Sequence, residues 1–104
     1  MSFDLSSVFN DMAKSAANVL GDEAGTAGQD VLKVLQNNKD AIAELVEART
    51  SGDINEEEFE SELGRERLVL EAELISLEIM AKSAVQKAMN AAMDTLKSAL
   101  MATI

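Results

Sequence analysis

Cysteine and histidine are both absent from the sequence, as are proline, tryptophan and tyrosine, and phenylalanine occurs only three times in 104 residues. The first two absences exclude a Ser-His-Asp triad, a thiolate nucleophile, a thiolate or imidazole metal site, a disulfide framework and a histidine switch near neutral pH. Basic residues are scarce too: nine Lys and Arg stand against 19 Asp and Glu, a formal charge of -10. That is the wrong sign for a protein that must displace counterions from phosphate, so no direct nucleic-acid binding is expected. No uncharged apolar run reaches the 18 or so residues of a membrane span, and no transmembrane segment is expected. The opening Met1-Ser2-Phe3-Asp4-Leu5 lacks the basic residues and apolar stretch of a secretory leader, which makes a cytoplasmic location the expectation. With no proline and five glycines, the chain has few places to turn, and long helices follow.

What is present is apolar content, 47% of the residues. At this length it suffices for the core of one domain. The spacing predicts an all-α fold, a single helical domain over residues 1–104. Its three helices span about 5–20, 27–50 and 56–102, joined first by a flexible connection at 21–28, and pack as an oligomeric helical bundle. Leu5, Val8, Phe9, Met12, Ala13, Ala16, Val19 and Leu20 recur at steps of three and four, one face of the first helix. Ser2 or Asp4 can cap its start and Gly21 can end it. Thr26 and Gln29 have capping-box spacing for the second helix, whose Gln36-Asn37-Asn38-Lys39-Asp40 interruption invites a kink or break near 37–39. Gly52 closes it.

The third helix begins with the strongest local signal in the chain. Asn55 at the cap places Glu58 at the third helical position, and Ile54 before the cap can clasp Phe59 one turn in. Glu56, Glu57 and Glu58 sit where the helix dipole favours negative charge. The surrounding residues, Glu47 to Phe59, have the glycine, aliphatic, glutamate and phenylalanine of a calcium loop at Gly52, Ile54, Glu58 and Phe59. Arg49, however, stands where a carboxylate must bind the ion, so no metal or other cofactor is expected. The segment Gly52-Asp53-Ile54-Asn55-Glu56-Glu57-Glu58-Phe59-Glu60 resembles the short C-terminal (SHOCT) domain and its G-x-I-[ST]-x-x-E-F pattern, with Asn55 replacing Ser or Thr. The resemblance covers residues 45–63. It implies a small helical hairpin that serves interaction or oligomerisation and has no catalytic residue.

The carboxylates from Glu56 to Glu78 lack the histidine partners of a di-iron bundle. They fit a solvated face instead, with Arg67 positioned for Glu71 and Lys82 for Glu78. Adjacent pairs such as Lys14-Ser15, Lys82-Ser83 and Lys97-Ser98 diverge by about 100 degrees on a helix and form no catalytic dyad. Lys82, Lys87 and Lys97 make residues 81–104 mildly basic beside the strongly acidic 53–80, an asymmetry that suggests antiparallel meeting of the two halves across two copies. Abundant alanine in the same stretch favours close helix packing over membrane contact.

Two apolar stripes run along the third helix at 100 degrees per residue. Phe59, Leu63, Leu70, Leu74, Leu77, Ala81, Ala88 and Ala92 form one. Leu68, Ala72, Ile75 and Ile79 form the other, well over 120 degrees away, and are the expected oligomer interface. Two faces need two covers, and a second chain in two-fold symmetry is the simplest source of the second. The expectation is therefore a non-enzymatic assembly or adaptor protein, a homodimer or higher even oligomer that acts through self-association and protein binding. The alternative is an acidic decoy on the basic surface of a nucleic-acid-binding protein.

Overall fold

Asp4 starts the first helix by accepting at Oδ1 from the backbone N–H groups of Ser6 (3.1 Å) and Ser7 (3.3 Å), while the Ser7 hydroxyl donates to Oδ2 at 2.9 Å. The Ser7 bonds hold the Asp4 carboxyl below the ordinary aspartate range. The computed structural model describes residues 4–21, 27–77 and 81–103. Among these described residues five α-helices follow in order: α1 (Leu5–Val19), α2 (Ala27–Asn37), α3 (Lys39–Ser51), α4 (Glu56–Ser76) and α5 (Lys82–Thr103). Five helices replace the three expected. Helix α1 buries Val8, Phe9, Met12, Ala13 and Ala16 as its periodicity requires. Ser2 and Thr26 lie outside the described residues, and Ala27 and Gly28, where the expected connection and second helix overlap, belong to α2.

The interruption at 37–39 divides the helix at Asn38, although the Asn38 N–H still donates to the Val34 carbonyl at 3.2 Å. The Asn38 side-chain amide donates to the Val34 carbonyl at 2.9 Å and to Glu73 Oε2 at 3.0 Å. Asn38 thus competes locally with the helical ladder and ties the break to α4. The Asn38 carbonyl then accepts from the Ile42 N–H (3.1 Å), and the helix resumes.

Between α3 and α4 the local signals act as expected. Gly52 adopts φ +85°, a left-handed conformation that a side chain would strain. Its N–H donates to Arg49 O (3.3 Å) and that of Asp53 to Ala48 O (2.9 Å), which together satisfy the carbonyls at the end of α3. Three residues later the capping box closes: Glu58 N–H donates to Asn55 Oδ1 at 2.8 Å, and Asn55 N–H to Glu58 Oε1 at 3.1 Å. Ile54 packs on the core and Phe59 is buried within it. Gly52, Ile54, Glu58 and Phe59 are accounted for by a helix stop and a helix start. Asn55→Ala should cost about 1 kcal/mol while Asn55→Asp stays near wild type, measured by urea denaturation. Equal stability of the two variants would remove the cap from this account.

The helix expected over 56–102, which at that length had either to bend or to extend beyond its own domain, is divided. Helix α4 ends at Ser76 with Leu77 as its cap, where the Leu77 N–H donates to Leu74 O at 3.3 Å and the Ser76 hydroxyl to Glu73 O at 2.7 Å. Helix α5 then runs back beside α4. The reason lies in tertiary burial, which outweighs helix propensity. Val85, Ala88, Met89, Ala92, Met93, Leu96 and Leu100 are all buried, and α5 makes its most extensive contact with α1. An unbroken helix of that length would reach roughly 70 Å. The longest dimension is 39 Å, and the radius of gyration is 13.2 Å. Helix α2 packs on α1 and α4, and α3 on α4. At the α1–α5 seam, Ser15 and Thr95 share a hydrogen bond of 2.7 Å between their hydroxyls.

Candidate interaction surface

Helix α4 has apolar side chains on both sides of its axis and therefore almost no net amphipathicity. One side is core: Phe59, Leu63, Leu70 and Leu74 are buried, as the first stripe requires. Leu77 and Ala81, assigned to that stripe, are instead exposed, because α4 stops at Ser76 and no longer carries them inward. Ala88 and Ala92 are buried, but on α5.

The opposite side faces solvent. Leu68 is 66% exposed, Val69 45% and Ile75 40%, and Ala72 between them is exposed as well. Three of the four expected interface residues, Leu68, Ala72 and Ile75, thus share one uncovered face; Ile79 lies outside the described residues. Val69, not singled out by the stripe analysis, widens the patch. Its neighbour Leu70 is buried, so strict helical geometry was sufficient to place it outside.

Charged residues flank this face. Arg67 Nε lies 2.8 Å from Glu71 Oε2, the expected pair, and Arg67 Nη2 also donates to the Gln86 carbonyl of α5 at 3.3 Å. Arg65 and Glu62 form an exposed pair at 3.3 Å, worth little in water. Glu78, the expected partner of Lys82, lies outside the described residues. Lys97 Nζ meets Glu60 Oε1 at 3.3 Å. The acidic and basic halves of the expected long helix therefore meet within one chain, as the α4–α5 hairpin, which corrects the expectation that they meet across two copies.

Glu66 Oε1 is buried without a hydrogen-bond partner among the described residues. Burial, and secondarily the Glu73 carboxylate, raise the Glu66 carboxyl above the ordinary glutamate range. The folded chain therefore holds this proton more tightly than the unfolded chain. Stability attributable to Glu66 falls as pH rises from the ordinary glutamate value through the raised one. Glu66→Gln should melt at a higher temperature than wild type at pH 7, with the difference closing in acid below the ordinary value. A thermal-melt series from pH 3 to 7 with a constant offset would sink this assignment.

A recess of about 310 Å³ lies where α3 ends, α4 begins and α5 approaches its end, lined among others by Arg49, Phe59, Lys97 and Met101. Met101 is 72% exposed there. Its charges are mixed, with Glu56 and Glu60 beside the two cations, and it holds no nucleophile paired with a base. Among the described residues no group of three or more acidic side chains is placed to hold a metal ion, and no helix is long and apolar enough to cross a membrane. The chain matches no protein-family model, no characterised protein and no solved structure, so the outer face of α4 has to be interpreted from its own chemistry.

Proposed function

We propose that this protein is a non-catalytic helical assembly or adaptor protein, acting through self-association and protein binding by the outer face of α4. The observation that carries the reading is the exposure of Leu68 and Ile75 opposite a buried core stripe on the same helix, with exposed Val69 beside them. Full burial of such a side chain is worth roughly 1.5–3 kcal/mol, and these are already partly covered, so each has about half of that to gain before association costs are subtracted. The SHOCT-like segment at the start of α4 supports an interaction role.

Sedimentation equilibrium across a micromolar concentration series tests the proposal. A mass that rises from one chain to two or an even multiple supports it, and a fully helical monomer throughout defeats self-association. If the chain instead captures a single basic, nucleic-acid-binding protein that elutes as salt rises, the acidic-decoy alternative takes its place.

A further inference from the structure

The groove between α3 and α4 is, we infer, a docking site for lysine side chains of a partner protein. The inference rests on the protein-binding part of the function proposed above and names the chemistry of the partner.

The groove has a volume of about 330 Å³. Its apolar lining is Ala41, Leu45 and Ala48 of α3 with Ile54 of the following turn, and Leu45 and Ile54 pack on the core beneath. Every charged residue that lines it is a carboxylate: Glu44 from α3, Glu62 and Glu66 from α4. Glu44 has no basic partner among the described residues. Glu62 pairs there only with Arg65, whose side chain is 76% exposed, a contact readily exchanged in water. A solvated carboxylate needs no further partner, but Glu66 Oε1 is cut off from solvent and accepts no hydrogen bond from any described residue. Such an acceptor carries a desolvation cost that an incoming donor relieves.

Charge therefore sets the sign of the occupant, and the lining sets its shape. A bare metal ion has no use for apolar walls, and among the described residues no three acidic side chains are placed to hold one. The fork of a guanidinium is matched to the two oxygens of one carboxylate, whereas these carboxylates come from two helices. A lysine supplies both parts required: an aliphatic stem to lie on Leu45 and Ile54, and a compact ammonium with three donors to divide among the glutamates. Glu62, Glu66 and Val69 recur at steps of four and three along α4, so the groove adjoins the exposed apolar face. A partner seated on that face reaches the groove with its basic edge.

Titration with an alanine-based helical peptide that carries two lysines one turn apart, followed by NMR, tests the site. The methyl resonances of Leu45 and Ile54 should shift. The same peptide with norleucine in place of lysine keeps the stem and loses the charge, and should bind about tenfold more weakly. Glu44→Gln with Glu66→Gln should weaken the lysine peptide by a similar factor. Loss of the fold does not explain that result, because Glu66→Gln removes a carboxylate that is buried without a partner. Asp11→Asn with Glu57→Gln makes the same change in net charge at exposed positions outside the groove, and should leave the affinity within about twofold. A norleucine peptide that binds as tightly as the lysine peptide would overturn the inference, since charge would then select nothing. Equal losses in the two double variants would overturn it too, by showing a diffuse attraction to a chain of charge -10. So would unmoved Leu45 and Ile54 methyls. Sedimentation of the free chain reads self-association independently, so a failure of the groove and a failure of assembly are told apart.

Discussion

Leu70→Ala should destabilise the fold by about 2–5 kcal/mol, while Leu68→Ala, two residues away, should leave the stability of the isolated protomer nearly unchanged. Leu70 is fully buried on the side of α4 that faces the core, where removing three carbons leaves a cavity that close-packed neighbours only partly refill. Leu68 is 66% exposed, so in the single chain its truncation removes little from contact. Urea denaturation at low protein concentration measures both. If the two variants lose similar stability, α4 is rotated from the orientation described. The loss at Leu70 is a large fraction of the stability of a domain of this size, and partial unfolding at 37 °C is the expected consequence.

The double substitution Leu68→Glu with Ile75→Glu should abolish self-association and leave the helical circular dichroism of the protomer intact. Two carboxylates at the centre of an apolar contact must each be desolvated without a partner, which costs several kcal/mol and exceeds what the remaining Val69 and Ala72 contact supplies. Both positions are solvent-exposed in the single chain, so the same charges are hydrated there at little cost. The result to look for is a folded monomer by light scattering with a melting curve independent of protein concentration. An assembly that persists unchanged would move the interface away from α4.

The turns with local chemistry were readable from the sequence. Gly52 and Asn55 each specify a hydrogen-bond pattern within four residues of themselves, and both patterns are present. Asn38 was half legible: its propensity signalled weakness, but its bond to Glu73 joins positions 35 apart, which no local pattern encodes. The length of the third helix signalled that it must bend or outgrow the domain, but the place where α4 separates from α5 was not legible. Residues 77–81 contain neither glycine nor proline, and what divides the helix is the burial of α5 against α1 far away in sequence. Leu77 was misplaced for the same reason, since its assignment to the core stripe assumed that the helix continued. The candidate face fared better because α4 is regular from Glu56 to Ser76, and a rotation of 100 degrees per residue separates Leu68 from Leu70 without knowledge of anything else.

The α1–α5 seam governs how this bundle can form. Ser15 and Thr95, bonded across it, are 80 positions apart, and closing a chain loop of that length costs about 4 kcal/mol of entropy beyond a fixed constant. The α3–α4 hairpin closes over a few residues and can form early. Helix α1 makes its most extensive contact with α5 and so gains its principal cover only once α5 docks. This raises the contact order above that of an up-and-down bundle of nearest neighbours, and folding should be correspondingly slower than helical content alone suggests. Until α5 docks, α1 has only the neighbouring α2 to cover its apolar face, so the chain is most prone to associate wrongly at α1, the helix farthest in sequence from the one that covers most of it.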